Sequence, residues 1–260
     1  MRPEPLRAAS LVAAALLLAA CRPAPAPVAG AAAADVDAAA LPRAAYARLA
    51  EAGEAVFRLE PDRSRIDVVV RREGPLARLG HDHVVVIDRV EGLAATTGAG
   101  ARADLRFLLR EMAVDPPEAR ARHGLDSEPS AEDVEGTRRN MLEATLEAST
   151  WPAAGIAVRL AAGLDAATEA RFEFDLHGRR HALVAPVRID AGPGATTVHA
   201  RFDLAQSDFG IEPFSALGGG LRVADALELH ATLVFVPSDR RGLAGDGPAA
   251  TGMHGGRRSE

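Results

Sequence analysis

A two-residue rhythm constrains this chain more than any other feature. Ile66, Val68 and Val70 alternate with Arg65, Asp67 and Arg71. Leu105, Phe107 and Leu109 alternate with Asp104, Arg106 and Arg110, and Phe172, Phe174 and Leu176 with Arg171, Glu173 and Asp175. Leu227, Leu229, Ala231, Leu233 and Phe235 share one face of a last run, and Phe202 and Leu204 do the same just before it. Successive side chains of a strand point to opposite faces, so such runs bury one face and wet the other, as half-buried antiparallel strands do. Adding 82–90, 154–162, 181–190 and 196–206 brings the count to about eight strands. Gly178-Arg179-Arg180 reads as the turn that joins 169–177 to 181–190. Eight antiparallel strands can close into a barrel that holds its own side chains or one small ligand. The expected fold is therefore mainly β, a single eight-stranded antiparallel barrel.

One segment departs from the rhythm. Asp115-Pro116-Pro117 is a helix-start signal, and Gly124 can end that turn. Ser130 precedes Asp133 at capping-box spacing, and Val134, Arg138, Met141, Leu142 and Thr145 lie near one helical face. A helix of roughly 16 residues stopped by Pro152 is expected between strands three and four.

The ends of the chain have a different character. Arg2 and Arg7 precede an apolar run, Ala8 to Ala20, of signal-peptide length and too short to span a bilayer. It ends in Leu18-Ala19-Ala20-Cys21, which resembles the lipobox of bacterial lipoproteins. The resemblance implies that Cys21, the single cysteine of the chain, is diacylated and becomes the first residue of the mature protein. Arg22 follows where Asp would favour retention at the inner membrane, which points to the periplasmic side of the outer membrane. The expected organisation is signal peptide 1–20, Pro/Ala-rich tether 21–54 with a short helix over 41–55, barrel 55–237, and a Gly-rich disordered tail 238–260. With one cysteine, an internal disulfide and a thiolate metal site are excluded. The net charge is −6 and no basic block stands out, which argues against nucleic acid as a partner.

Several short motifs occur in an order that resembles the YceI-like family. They are Ser64-Arg65-Ile66-Asp67-Val68, Val114-Asp115-Pro116-Pro117, Gly136-Thr137-Arg138-Arg139-Asn140-Met141-Leu142 and Trp151-Pro152. Phe174-Asp175-Leu176-His177-Gly178, Ser207-Asp208-Phe209-Gly210-Ile211 and Gly218-Gly219-Gly220-Leu221-Arg222-Val223-Ala224-Asp225 complete the set. The resemblance runs from about Phe57 to Val236. It implies a lipocalin-like barrel around a long apolar ligand such as a polyisoprenoid, a quinone or a fatty-acyl chain. The residues expected to line the lumen are Ile66, Val68, Val70, Leu105, Phe107, Leu109, Phe172, Phe174, Leu176, Phe202, Leu204, Leu227, Leu229, Leu233 and Phe235. The competing account is a barrel filled by its own side chains, an envelope scaffold that binds other proteins. Pairing of two copies stays open.

Gly80-His81-Asp82-His83 resembles a pattern found in a subgroup of that family. His-X-His on a strand places both imidazoles on one face, and neutral imidazole ligates zinc, copper or iron. A divalent metal or haem on His81 and His83 is one reading, with a third ligand from His177, His181, His199 or His230. The other has both rings capping the barrel mouth. No catalytic motif is present, and Asp208 near His230 lacks a nucleophile. The expectation is a non-enzymatic protein.

Overall fold

A computed structural model describes residues 40–98, 100–161, 163–164 and 167–238. Cys21, the expected signal peptide 1–20 and the expected tail from 239 onward lie outside the described residues. Twelve strand segments form one antiparallel sheet. They are β1 (Ala55–Leu59), β2 (Arg65–Glu73), β3 (His83–Ile87), β4 (Glu91–Thr97), β5 (Gly100–Leu108) and β6 (Ala113–Val114). Next come β7 (Ala153–Leu160), β8 (Glu169–Leu176), β9 (Arg179–Ala191), β10 (Thr196–Ala205), β11 (Ser215–Ala216) and β12 (Leu221–Pro237).

The segments make eight staves. β1 and β2 are one stave interrupted by a 3-10 turn at Pro61–Arg63; both pair with the same edge of β12. β3 and β4 form the second stave, and β5 and β6 the third, broken by the 3-10 turn Leu109–Glu111. β7, β8, β9, β10 and β12 are the other five. Phe57 opposite Pro237 and Leu59 opposite Phe235 close the ring. The barrel is thus eight-stranded, antiparallel and closed. Leu109 sits in the 3-10 turn rather than on a strand, yet it remains buried against the core.

Strands β1 and β4 escape the alternation rule, and both have a reason. Both bury an outer face as well as an inner one. Helix α1 (Arg43–Glu51) lies across them, with the wholly buried Tyr46 against Val56, Leu93 and Ala95. The Tyr46 hydroxyl donates to Asp104 at 2.6 Å, and Arg102 stacks over its ring. Burial and the Asp104 carboxylate push the Tyr46 pKa up. The stretch expected as tether therefore includes a helix that packs on the barrel wall. β3 has the same two-sided burial: Val85 and Ile87 face the core, while Val84 and Val86 lie with Val69 under Ala119.

The insertion between staves three and four holds two helices, α2 (Pro117–Arg122) and α3 (Ala131–Asn140), the latter continued by a π turn, Met141–Thr145. Ser130 caps α3 in a reciprocal capping box with Asp133. The helix ends well before Pro152, because the chain leaves helical geometry at Glu147, whose φ is +46°. Val134, Met141, Leu142 and Leu146 pack onto the core and plug one end of the barrel. The β8–β9 turn is tighter than expected. Leu176 pairs with Arg179, so His177 and Gly178 alone make the turn, both with positive φ. A side chain at 178 would strike the Trp151 ring, so this position requires glycine twice over.

Candidate functional site

The barrel has two unlike ends. One carries the start of β1, the end of β12 and the connections 97–100, 160–169 and 191–196. The other carries the insertion, the 73–83 loop and the 205–221 loop. The inward rhythm places Ala94, Ala103, Ala170, Ala200 and Ala231 around the axis at the first end, together with Phe57, Leu105, Val158, Phe172, Val187, Val198, Leu233 and Phe235. Small side chains on neighbouring staves leave a gap, a cavity of about 80 Å³. Thr96 and Thr196 are its polar side chains besides Arg102, whose guanidinium turns outward to Tyr46 and Asp104. A water needs about 10–15 Å³ of cavity, so the space exceeds a packing defect and suits an apolar chain.

The other end is filled. Phe174 lies 6.3 Å from Phe172, 6.0 Å from Phe202 and 6.4 Å from Phe209, ring centre to ring centre. Phe172 and Phe202 approach to 4.9 Å. Of the residues expected in the lumen, Leu105, Phe172, Leu233 and Phe235 line the cavity. Ile66, Phe107, Leu109, Phe174, Leu204 and Leu229 are buried in the same core away from the cavity lining. Val68, Val70, Leu176 and Phe202 pack onto it half-buried. Leu227, opposite Val70 and Leu204, is half-buried and outside that cluster. The inward alanines stand outside the expected lumen set because alanine is abundant throughout the chain, although here the missing volume makes the site.

A second cluster lies at the insertion end, where His83 continues the inward-facing row of Val85 and Ile87 on β3. Asp115 holds a left-handed conformation, φ +53°, and its carboxylate has no solvent exposure. It sits 2.6 Å from Nδ1 of His83, and it accepts from the Val84 amide at 3.0 Å and from Arg120 at 2.6 Å. Burial alone would raise the Asp115 pKa, but the His83 ring, the Val84 N–H and Arg120 outweigh it, and the pKa is lowered. Arg120 also donates to the carbonyls of Asp82 and Ser127. Asp115 was read as a helix-start residue. Its side chain turns back to β3 instead, and α2 has no side-chain cap.

His81 stands beside His83, ring centres 6.3 Å apart. None of the expected third ligands joins them. His177 lies near Glu147 and the Phe209 carbonyl, and His181 pairs with Asp208 at 3.4 Å. His199 faces Thr232 and Asp190. His230 stacks edge-on to His123 at 4.7 Å, and burial, Arg201 and His123 lower its pKa. Asp208 thus partners His181, because the turn that follows β10 carries it to the β9 edge. Gly218-Gly219-Gly220 lies in the turn that begins at Leu217 and leads into β12, with positive φ at Gly218 and Gly219, and the Gly220 carbonyl accepts the Leu76 amide at 2.8 Å.

No family model matches the chain, and no curated protein matches it. Among solved structures it is similar to a polyisoprenoid-binding domain from Saccharophagus degradans, at 14% identity and a TM-score of 0.49, covering 71% of this chain and 99% of that one. It is also similar to Burkholderia cenocepacia BcnA, at 11% identity and 0.47, covering 68% and 98%. A Campylobacter jejuni YCEI protein follows at 11% and 0.33, covering 53% and 72%. At such identities and scores, these likenesses assign the chain neither a family nor a ligand.

Proposed function

We propose that this chain is a lipid-binding protein of the bacterial envelope, tethered through acylated Cys21, that holds an apolar chain of the isoprenoid, quinone-tail or fatty-acyl class. The alanine-lined cavity carries the reading. A closed barrel whose lining offers hydrocarbon surface and hardly a polar group recognises a chain by exclusion of water. The sequence resemblance to YceI-like proteins and the lipobox pattern support it. Because the insertion end is filled by phenylalanines, the chain enters from the end where the strands begin and finish. Its headgroup then stays at that mouth.

Lipid extraction and native mass spectrometry of the protein purified from its own host test this. A stoichiometric apolar lipid is expected in the wild type, and its loss in Ala103→Leu/Ala231→Leu, which fills the cavity. A wild type without lipid, or equal lipid in both, overturns the reading. Cys21→Ser is expected to move the protein from the membrane to the soluble fraction.

A further inference from the structure

The His81 and His83 rings lie on one side of the extended chain that enters β3, 6.3 Å apart and inclined at 70°. Residues i and i+2 of an extended segment share a face. His83 commits Nδ1 to Asp115, and its Nε2 has no hydrogen-bond partner among the described residues. His81 makes no hydrogen bond among them either, and its Nδ1 is buried without one. A buried polar atom lacking a partner calls for a water or an ion to complete it.

Asp115 is held from behind by Arg120 at 2.6 Å and by the Val84 amide at 3.0 Å. A carboxylate so fixed accepts the Nδ1 proton of His83, orients the ring and leaves the Nε2 lone pair free. Metal-ligating histidines are prepared in this way. Asp133, at the start of α3, adds negative charge that both rings feel.

The structure assigns His81 and His83 as the protein half of an open site for a divalent transition ion, copper(II) or zinc(II), with Asp115 positioning His83. Two imidazoles that share an ion at about 2.0 Å per bond, at the roughly 90–109° angles of copper(II) and zinc(II), bring their ring centres to about 4.5–5 Å. Ring rotation reaches that from 6.3 Å. Among the described residues no group of three His, Cys, Asp or Glu side chains gathers around one point, so water or an incoming ligand fills the remaining positions. Copper(II) binds more tightly than zinc(II) at a nitrogen site of this kind.

The test is calorimetric titration of the untagged, metal-free full chain with copper(II) and then zinc(II), with electron paramagnetic resonance of the copper form. One equivalent with imidazole-nitrogen coupling is expected. His81→Asn and His83→Asn are each expected to weaken it at least tenfold, with circular dichroism showing the barrel intact. Asp115→Asn is expected to weaken binding about 10–100-fold. The resonance spectrum of the wild type needs no variant, so a poorly folding substitution does not remove the test. Absence of nitrogen coupling, or a titration unchanged in a combined His81→Asn/His83→Asn variant, overturns the assignment. Either result is independent of bound lipid.

Discussion

At the insertion end, Phe174, Phe202 and Phe209 meet across the barrel axis, while Ala94, Ala103, Ala170, Ala200 and Ala231 surround the axis at the other end. Both ends use the same antiparallel staves and the same inward rhythm. They differ in inward side-chain volume and in the helical insertion that plugs one of them, and together these make one half a packed core and leave the other hollow. A packed interior gains dispersion and transfer energy from each methylene. The alanine half forgoes it; under the proposed function that gain falls to the ligand, which would stabilise the protein by binding the folded state alone. The comparison predicts that changes at the filled end act on stability, and changes at the hollow end act on cargo.

The largest effect is expected at Asp115. Asp115→Ala leaves the Arg120 guanidinium buried, with backbone carbonyls and Ser127 as its remaining partners, and should cost about 3–5 kcal/mol in urea unfolding. The same carboxylate carries an acid dependence. Its folded pKa lies below its ordinary value, so its contribution is present above about pH 4 and is lost as pH falls through the folded value. The stability difference between wild type and Asp115→Asn should shrink below pH 4; a constant difference would dismiss the coupling.

Phe174→Ala, at 5% exposure among three other rings, should cost about 3–5 kcal/mol and leave lipid content unchanged. Ala103→Leu is its counterpart. It should move stability by less than about 1.5 kcal/mol, because the cavity can take the added volume, yet it should lower lipid occupancy sharply. If Phe174→Ala empties the barrel of lipid, or Ala103→Leu unfolds it, the division of labour fails.

The smallest effect lies outside the lumen. Leu217 is 61% exposed and holds φ at +52°, a conformation that costs a branched side chain about 1 kcal/mol. Leu217→Gly should raise the melting temperature slightly without touching cargo, as differential scanning calorimetry can show.

How far the chain could be read in advance depended on how local each determinant was. Alternation at 65–71, 104–110 and 169–177 is a property of neighbours, and it announced antiparallel staves enough to close a ring. Ser130 and Asp133 announced their capping box for the same reason. Glu91–Thr97 is hard to see in the sequence because its inward residues are Gly92, Ala94 and Thr96, and because its outward Leu93 and Ala95 are covered by a helix from elsewhere in the chain. The partners of Asp115 were invisible because His83 is 32 residues away.

Order along the chain therefore determined the strand rhythm, the number of staves, the helix start at Ser130 and the chemistry of the His-Asp-His run. Tertiary structure decided which half is hollow, which histidine has a carboxylate behind it, and which strands need an outer cover. The reason is that volume and charge pairing are summed across staves meeting at one height. Register sets those meetings between residues far apart in sequence, and no local pattern contains them.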